Sequence, residues 1–354
     1  MRPAIIAAPA SRATWLQSPS HDVAMALIWL PFAIGAHAVA GDPERLQWLV
    51  SATLLFSFAH QPLTLWLTYG DAGQRRLHSK LFWWAPLVLA ALVGVGSAVQ
   101  PEVVALVAGA WNVGHTIRQR YGISRLYGRL SGVDCASDNR LLWTWLSAAV
   151  VIALARTDLS ETARDVGLGR RSATAFDVLG SARSIAVILL PVVIGVALFV
   201  TIRSIRDESR RQTHSVGRLV YLGSTAMLLA VLAVRPVVGF VAYVGAHAAE
   251  YLLVVRWRIG RAAHGARPGD RVGALARRVG TNGTMGVYAV AVVALILAVR
   301  VASGSDVVVV VVLTLGALHL FYDGFIWRSA RPAADGTPSG NSRSVHQRAL
   351  KLGR

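Results

Sequence analysis

Long apolar runs recur along the whole chain, and they restrict its fold more than any other feature. Each run has about 17–25 residues, the length that an α-helix needs to cross the hydrocarbon core of a bilayer. Of the 354 residues, 54% are hydrophobic and only 15% are charged, and the mean hydropathy is +0.50. Soluble domains carry roughly a quarter charged residues. The sequence therefore predicts an all-α, polytopic transmembrane helix bundle.

We predict about ten membrane spans. Pro236 in "VRPV" disfavours helical geometry at Arg235 and so separates the seventh span from the eighth; one long kinked segment with a re-entrant piece is the alternative. The spans are about 23–40, 46–69, 81–99, 102–124, 141–155, 184–202, 218–234, 237–255, 284–302 and 307–328.

The spans form a single transmembrane domain over residues 23–328. Residues 1–22 form a short N-terminal segment. Residues 329–354 form a basic tail whose Pro, Gly, Ser and Arg content predicts disorder. We expect both of these terminal segments to lie in the cytoplasm.

Positive charge alternates along the chain and sets the predicted orientation. Arginine clusters follow the second, fourth, sixth and eighth spans, whereas the other connections are short or mixed in charge. The positive-inside rule then places both termini in the cytoplasm of a multi-pass protein of the inner (plasma) membrane. The same rule explains the net charge of +18 without a nucleic-acid partner. The expected surroundings are membrane lipids.

Four histidines lie at one predicted depth in the membrane. They sit about ten to fourteen residues from the outer ends of their spans, which is about 15–21 Å deep. All four spans run from outside to inside, so their side chains can meet at one level. His37 lies at the outer end of the first span and does not share this depth. The four are His60, His115, His247 and His319.

Two carboxylates accompany these histidines. Glu250 follows His247 by three residues and Asp323 follows His319 by four, so each shares a helix face with its histidine. A single membrane histidine is often only an interhelical hydrogen bond. Four at one depth, with two acids, instead predict a shared metal site with the four histidines as ligands. Glu250 and Asp323 are then candidate catalytic residues that orient imidazoles or complete the coordination sphere, unless they snorkel toward the cytosol or pair with arginines there.

Other polar residues surround the predicted site. Gln119 follows His115 by four residues, and Thr64 stands in the same relation to the histidine of the second span. We take Gln119 and Arg118 as candidate substrate-binding residues. Arg118 and Arg120 lie near the predicted inner interface and could hold an anionic head group, although topology also explains them.

The donor set restricts the metal. Imidazoles with few carboxylates suit iron, copper or zinc. The single cysteine, Cys135, excludes an internal disulfide and a cysteine-rich structural zinc site. The clustered HxxxH and HxxHH boxes of membrane di-iron enzymes are absent. A b-type haem protein stays open, since two histidines on facing helices can clamp one iron. So does a proton-coupled transporter that uses buried His, Glu and Asp.

Three motifs carry a family resemblance: "HTIRQRYGISRLYGR", "HAAEYLLVV" and "HLFYDGFIW". Between Phe56 and Trp327 the chain resembles a group of bacterial multi-pass membrane proteins with HxxE and HxxxDGxIW motifs. This resemblance implies no particular activity. More loosely, it is similar to the Brp/Blh-type membrane carotene dioxygenases, which are implied to hold one iron by four histidines and to cleave carotene to retinal. Their paired-histidine helix and "PHG…D" opening are absent here. The resemblance thus implies a histidine iron centre in a lipid-facing cavity, and it does not carry over the substrate.

Together these features predict a metal-dependent membrane oxidoreductase or oxygenase. We expect Fe²⁺ as its cofactor, with zinc or copper as alternatives, and an apolar, lipid-soluble small molecule as its substrate.

Overall fold

The computed structural model describes residues 14–158, 173–265, 269–302 and 306–326. The first residues of the predicted N-terminal segment and the whole predicted tail lie outside the described residues. Within the described ranges the chain is helical, and the only pairing of extended backbone is an isolated β-bridge between Asp71 and Asp270.

The described residues form twelve helices. In chain order they are α1 (Pro19–Ala26), α2 (Trp29–Ala38), α3 (Pro43–Gly70), α4 (Ala72–Leu77), α5 (Ser79–Val99), α6 (Pro101–Ser131), α7 (Ala136–Arg156), α8 (Ala173–Ser209), α9 (Val216–Val234), α10 (Pro236–His264), α11 (Arg271–Val301) and α12 (Asp306–Ile326).

Many of these helices are long and apolar enough to cross a membrane, which confirms the all-α, multi-pass character predicted from the sequence. Seven segments within the described residues meet this condition: Pro19–Ala38, Ser79–Val99, Gly180–Ser209, Val216–Val234, Pro236–His264, Arg271–Val301 and Val307–Phe325. The other three predicted spans fall on α3, α6 and α7, which have 28, 31 and 21 residues. Polar side chains lower the hydropathy of α3 and α6, and these include two of the four histidines.

The first predicted span is broken in the structure. Helix α1 ends at Ala26 and α2 begins at Trp29. The Ser224 hydroxyl of α9 stabilises this break, because it accepts a hydrogen bond from Trp29 Nε1 at 2.8 Å and donates one to the Ala26 carbonyl at 2.5 Å. A side chain nearly two hundred positions away in sequence thus satisfies the carbonyl at the end of α1.

The boundary between α9 and α10 lies where the sequence predicts it. Arg235 has a non-helical backbone (φ −133°, ψ 79°) between helices that end at Val234 and begin at Pro236, so the alternative of one kinked segment is wrong. The two helices pack against each other as a tight hairpin. At Gly239 a Cβ atom would lie 2.1 Å from the Leu232 Cα, so only glycine permits this approach.

Helix α10 lies at the centre of the bundle, and it packs against α2, α3, α6, α9 and α11. Helix α12 packs against α3, α5 and α6. As a result, α3, α6, α10 and α12 surround a common interior, and these are the four helices that carry the predicted ligands. Helix α8 packs mainly on α7 and exposes most of its apolar side chains, as a lipid-facing helix would.

Candidate metal centre

The structure brings the four predicted histidines together. The ring centroids of His60 and His319 lie 4.6 Å apart, and those of His60 and His247 lie 4.8 Å apart. The His115 ring is 5.2 Å from that of His247 and 5.0 Å from that of His319. All four side chains are buried, with His115 the most accessible at 9% exposure, whereas His37 is exposed.

Three of these imidazoles offer nitrogens at the spacing of metal ligands. One ring nitrogen from each of His60, His247 and His319 lies within 4.8 Å of the other two. The Nε2 atoms of His60 and His319 are 3.1 Å apart. Two donors that bind one ion at about 2.1 Å lie about 3–4 Å apart, so these nitrogens can share an ion with little movement.

A second donor set overlaps the first. His115, His319 and Asp323 each offer one atom within 4.8 Å of the others. His319 belongs to both sets, so the two describe adjoining parts of one centre. The second set has two imidazoles and one carboxylate, a donor combination that non-haem iron oxygenases use.

His247 is the least satisfied of the four histidines. Its side chain is fully buried, and neither Nδ1 nor Nε2 has a hydrogen-bond partner among the described residues. A buried polar group without a partner costs about 1–3 kcal/mol, and such groups are rare in folded proteins. A metal ion among the imidazoles would remove that cost.

Thr64 fixes the orientation of His319. Its Oγ1 lies 2.7 Å from His319 Nδ1 and donates a hydrogen bond to Asp323 Oδ1 at 2.9 Å. When that hydroxyl hydrogen points to the carboxylate, Nδ1–H of His319 donates to Thr64. His319 Nε2 is then the unprotonated nitrogen, and it faces His60. Tyr251 also donates to Asp323 Oδ1, at 3.0 Å.

The i,i+4 spacing suggested a direct contact between Asp323 and His319. In the structure, Asp323 acts on His319 through Thr64 instead. The shortest direct approach, from His319 Nε2 to Asp323 Oδ2, is 4.0 Å. The nearer imidazole is His115, whose Nε2 lies 3.5 Å from the same oxygen. Asp323 thus contacts one histidine and orients another.

Glu250 occupies a different position from the one expected. Its Oε1 lies 2.9 Å from Arg120, and its Oε2 accepts a hydrogen bond from Tyr221 at 3.0 Å. Arg120 also donates to Thr225 at 3.0 Å. A residue three positions after His247 points about 60° away around the helix, here toward α9 instead of the imidazoles. We therefore assign Glu250 to an ion pair and not to the histidine cluster.

The same ion pair corrects the expectation for Arg120. Its side chain is fully buried against Glu250, so it is not available to a head group at the membrane surface. Arg118 is exposed, as expected of a residue near the interface. The Gln119 amide donates to the His247 carbonyl at 3.1 Å and so connects α6 to α10.

A cavity of about 430 Å³ opens beside the centre. Its wall includes both candidate substrate-binding residues, Arg118 and Gln119. It also includes His115, Asp323 and Tyr251 of the polar cluster. The cavity therefore adjoins the centre on the side of His115 and Asp323, and its volume suits a small organic ligand.

Tyr251 is the functional candidate that sequence reasoning missed. It follows His247 by four residues, so the spacing that singled out Asp323 would also have found it. Comparison with protein-family models, with curated proteins and with solved structures finds no match to this chain. The resemblances drawn from the motifs therefore stay predictions, and the geometry supports the functional assignment.

Proposed function

We propose that this protein is an integral-membrane metalloenzyme that binds one transition metal ion, with iron the first candidate, and oxidises an apolar, lipid-soluble substrate. The observation that carries the proposal is the fully buried His247, whose two ring nitrogens lack partners among the described residues at the meeting point of three other imidazoles. A polar group buried without compensation is expected where a ligand supplies the missing interaction.

The roles of the residues follow from their contacts. His60, His247 and His319 would bind the ion, and His115 and Asp323 would complete its coordination on the cavity side. Thr64 would keep His319 in the tautomer that presents Nε2. Partners of this kind commonly orient metal-bound imidazoles.

The cavity favours a catalytic over a purely structural ion. Structural metal sites are closed by protein ligands, whereas catalytic sites keep a position open to substrate. Here His115 and Asp323 belong both to the donor set and to the cavity wall. A substrate in the cavity would therefore lie next to the ion.

The donor types favour iron among the metals that imidazole suits. The combination of two histidines and one carboxylate is typical of non-haem iron enzymes that use oxygen. When bound, such an ion supplies redox chemistry that no side chain in this cluster can supply. A clamped haem fits poorly, because the imidazoles pack edge to face and leave no gap for a porphyrin between them.

A proton-coupled transporter is the second candidate. One observation favours it: the hydrogen-bonded chain from Asp323 through Thr64 to His319 could carry a proton through the interior. The two functions differ in what they need. Proton transfer along this chain does not require a metal, whereas oxidation at this centre does.

We also propose the full topology of ten spans, with both termini in the cytoplasm of the inner membrane. The arginine clusters after alternate spans support it. Reporter fusions at Gly41 and Arg210, in connections predicted to lie on opposite sides, are expected to give opposite signals. Equal signals at the two positions would contradict this topology.

X-ray absorption on the purified, Fe²⁺-loaded protein tests the metal centre. We expect three or four nitrogen donors at about 2.0–2.2 Å, and oxygen consumption that depends on the bound iron. The His37→Ala variant serves as a control and should give the same spectrum. A spectrum without imidazole donors would overturn the proposed centre.

A further inference from the structure

The cavity beside the centre has a positively charged wall, whose arginine side chains are exposed in the structure. Three arginines line it, and Asp323 is the only acid in its wall among the described residues. Arg118, Arg125 and Arg129 are spaced by seven and four residues on α6, so they share one helix face.

Two of these arginines have no carboxylate partner among the described residues. The buried arginines of the bundle are paired, Arg120 with Glu250 and Arg218 with Asp138. By contrast, neither Arg118 nor Arg125 forms an ion pair within the part of the chain that the structure describes. Arg125 instead stacks on the Tyr121 ring, with its guanidinium carbon 5.7 Å from the centroid. Their hydrogen-bond donors can therefore bind an anion.

Apolar side chains form much of the rest of the wall. They include Trp111, Trp143, Leu126, Val254 and Leu320. Glycines keep the space open: at Gly122 and at Gly324, both in the wall, a Cβ atom would meet nothing within 4 Å. The cavity can therefore hold an alkyl chain against tryptophan and leucine.

Charge and apolar surface are arranged along a line. His115 and Arg125 are ten residues apart on α6, which is about 15 Å along the helix axis. The end of the cavity at Arg125 is thus far from the candidate metal, and Arg118 lies between them, three residues or about 4.5 Å from His115 along the axis. A ligand that satisfies both ends has an anionic head group and a hydrocarbon chain.

We propose that the cavity binds a single-chain anionic amphiphile, with its carboxylate or phosphate head on Arg118 and Arg125 and its chain directed toward His115 and Asp323. This inference rests on the proposed function for its catalytic meaning, since it names the class of substrate. Arginine suits such a head group because its planar guanidinium binds carboxylate and phosphate in a bidentate manner.

Equilibrium binding to the iron-loaded protein in zwitterionic nanodiscs tests the proposal. The probes are myristic acid, tetradecyl phosphate and tetradecanol, which share one alkyl chain and differ in the head group. We expect at least one of the two anions to bind about tenfold or more tightly than the alcohol, as charged hydrogen bonds predict. The stronger anion identifies the head group. Equal affinity for all three probes would overturn the proposal.

Variants separate the head-group site from the chain site. Arg118→Gln and Arg125→Gln should each weaken anion binding about tenfold and leave the alcohol unchanged. Gly122→Leu places a side chain in the cavity and should weaken the binding of all three probes. Arg203→Gln removes an exposed arginine of α8 outside the cavity and should change none of them. Anion affinities that stay unchanged in both Arg118→Gln and Arg125→Gln would contradict the proposal.

Metal content, measured on every sample, distinguishes the two proposals. Loss of anion preference with bound iron intact would refute the amphiphile site alone. Anion binding that depends on Arg118 and Arg125 in a protein that never retains metal would support the site and refute the metalloenzyme.

Discussion

At the scale of single residues, the most informative group is the Thr64 hydroxyl. It connects the Asp323 carboxylate to the Nδ1 of His319, and it lies 2.5 Å from the Tyr251 hydroxyl. Removal of this one oxygen would leave His319 free to adopt the other tautomer. A ligand whose tautomer is not fixed presents the wrong nitrogen to a metal for part of the time.

We therefore expect Thr64→Val to lower iron affinity about tenfold or more with the fold intact. Thr53→Val is the matched control, since Thr53 lies on the same helix and is buried. Among the described residues, its hydroxyl donates only to the Leu49 carbonyl of its own helix. Titration of the apo protein with Fe²⁺ measures the iron affinity of both variants. Equal affinities would show that the hydroxyl serves packing alone.

Asp323→Asn tests the carboxylate with little change in shape. The asparagine keeps an acceptor for Thr64 and Tyr251 but loses the negative charge that faces His115 at 3.5 Å. We expect a loss of about 10–100-fold in metal affinity or in oxygen consumption, with an unchanged melting temperature. Unaltered metal binding and activity would reduce Asp323 to a packing partner.

The pair of Arg120 and Glu250 is expected to act on stability instead. Both side chains are fully buried, so Arg120→Met leaves an uncompensated carboxylate and should cost about 3–5 kcal/mol of unfolding free energy. The double variant Arg120→Met, Glu250→Leu should recover most of that loss.

Denaturant unfolding in detergent measures the unfolding free energy of the wild type, of Arg120→Met and of the double variant. Glu250→Gln, assayed for metal, provides the functional control and should retain the ion. A Glu250→Gln protein that folds but binds no metal would show that Glu250 takes part in the metal centre.

At the scale of helices, the close hairpin of α9 and α10 positions His247. Gly239→Ala would place a methyl group on the Leu232 backbone, which cannot yield as a flexible side chain would. We expect a cost of about 1–3 kcal/mol and a measurable loss of metal, because α10 carries His247. Gly223→Ala on α9 meets nothing within 4 Å and should be close to neutral. If the two variants melt alike, the hairpin contact does not determine the position of α10.

Some helix boundaries could be predicted from local sequence and others could not. The break at Arg235 follows from Pro236, a neighbour in sequence, so the pattern located it. The break between Ala26 and Trp29 depends on the Ser224 hydroxyl of a distant helix, and no local signal reports it. Helices α3 and α6 are not among the seven apolar segments, and they carry His60 and His115 of the centre.

At the scale of the whole molecule, charge alternation and span length predicted that four histidines lie at one depth and can meet. The structure brings those residues together, since α3, α6, α10 and α12 enclose one interior. The sequence pattern could not predict which way each carboxylate points around its helix. Asp323 turns toward His115 and Thr64, whereas Glu250 turns toward Arg120, and only the packing of the neighbouring helices decides between such partners.

The metal content of the purified protein tests the central claim most directly. After growth with iron, zinc and copper supplied, we expect one ion, iron, per chain. His247→Ala and His247→Gln should lose it while their melting transitions remain cooperative, and His37→Ala should keep it, because His37 is exposed and belongs to no donor set within the described residues. A folded, monodisperse wild-type protein that retains no metal, or a His247 variant that retains a full ion, would contradict the metalloenzyme.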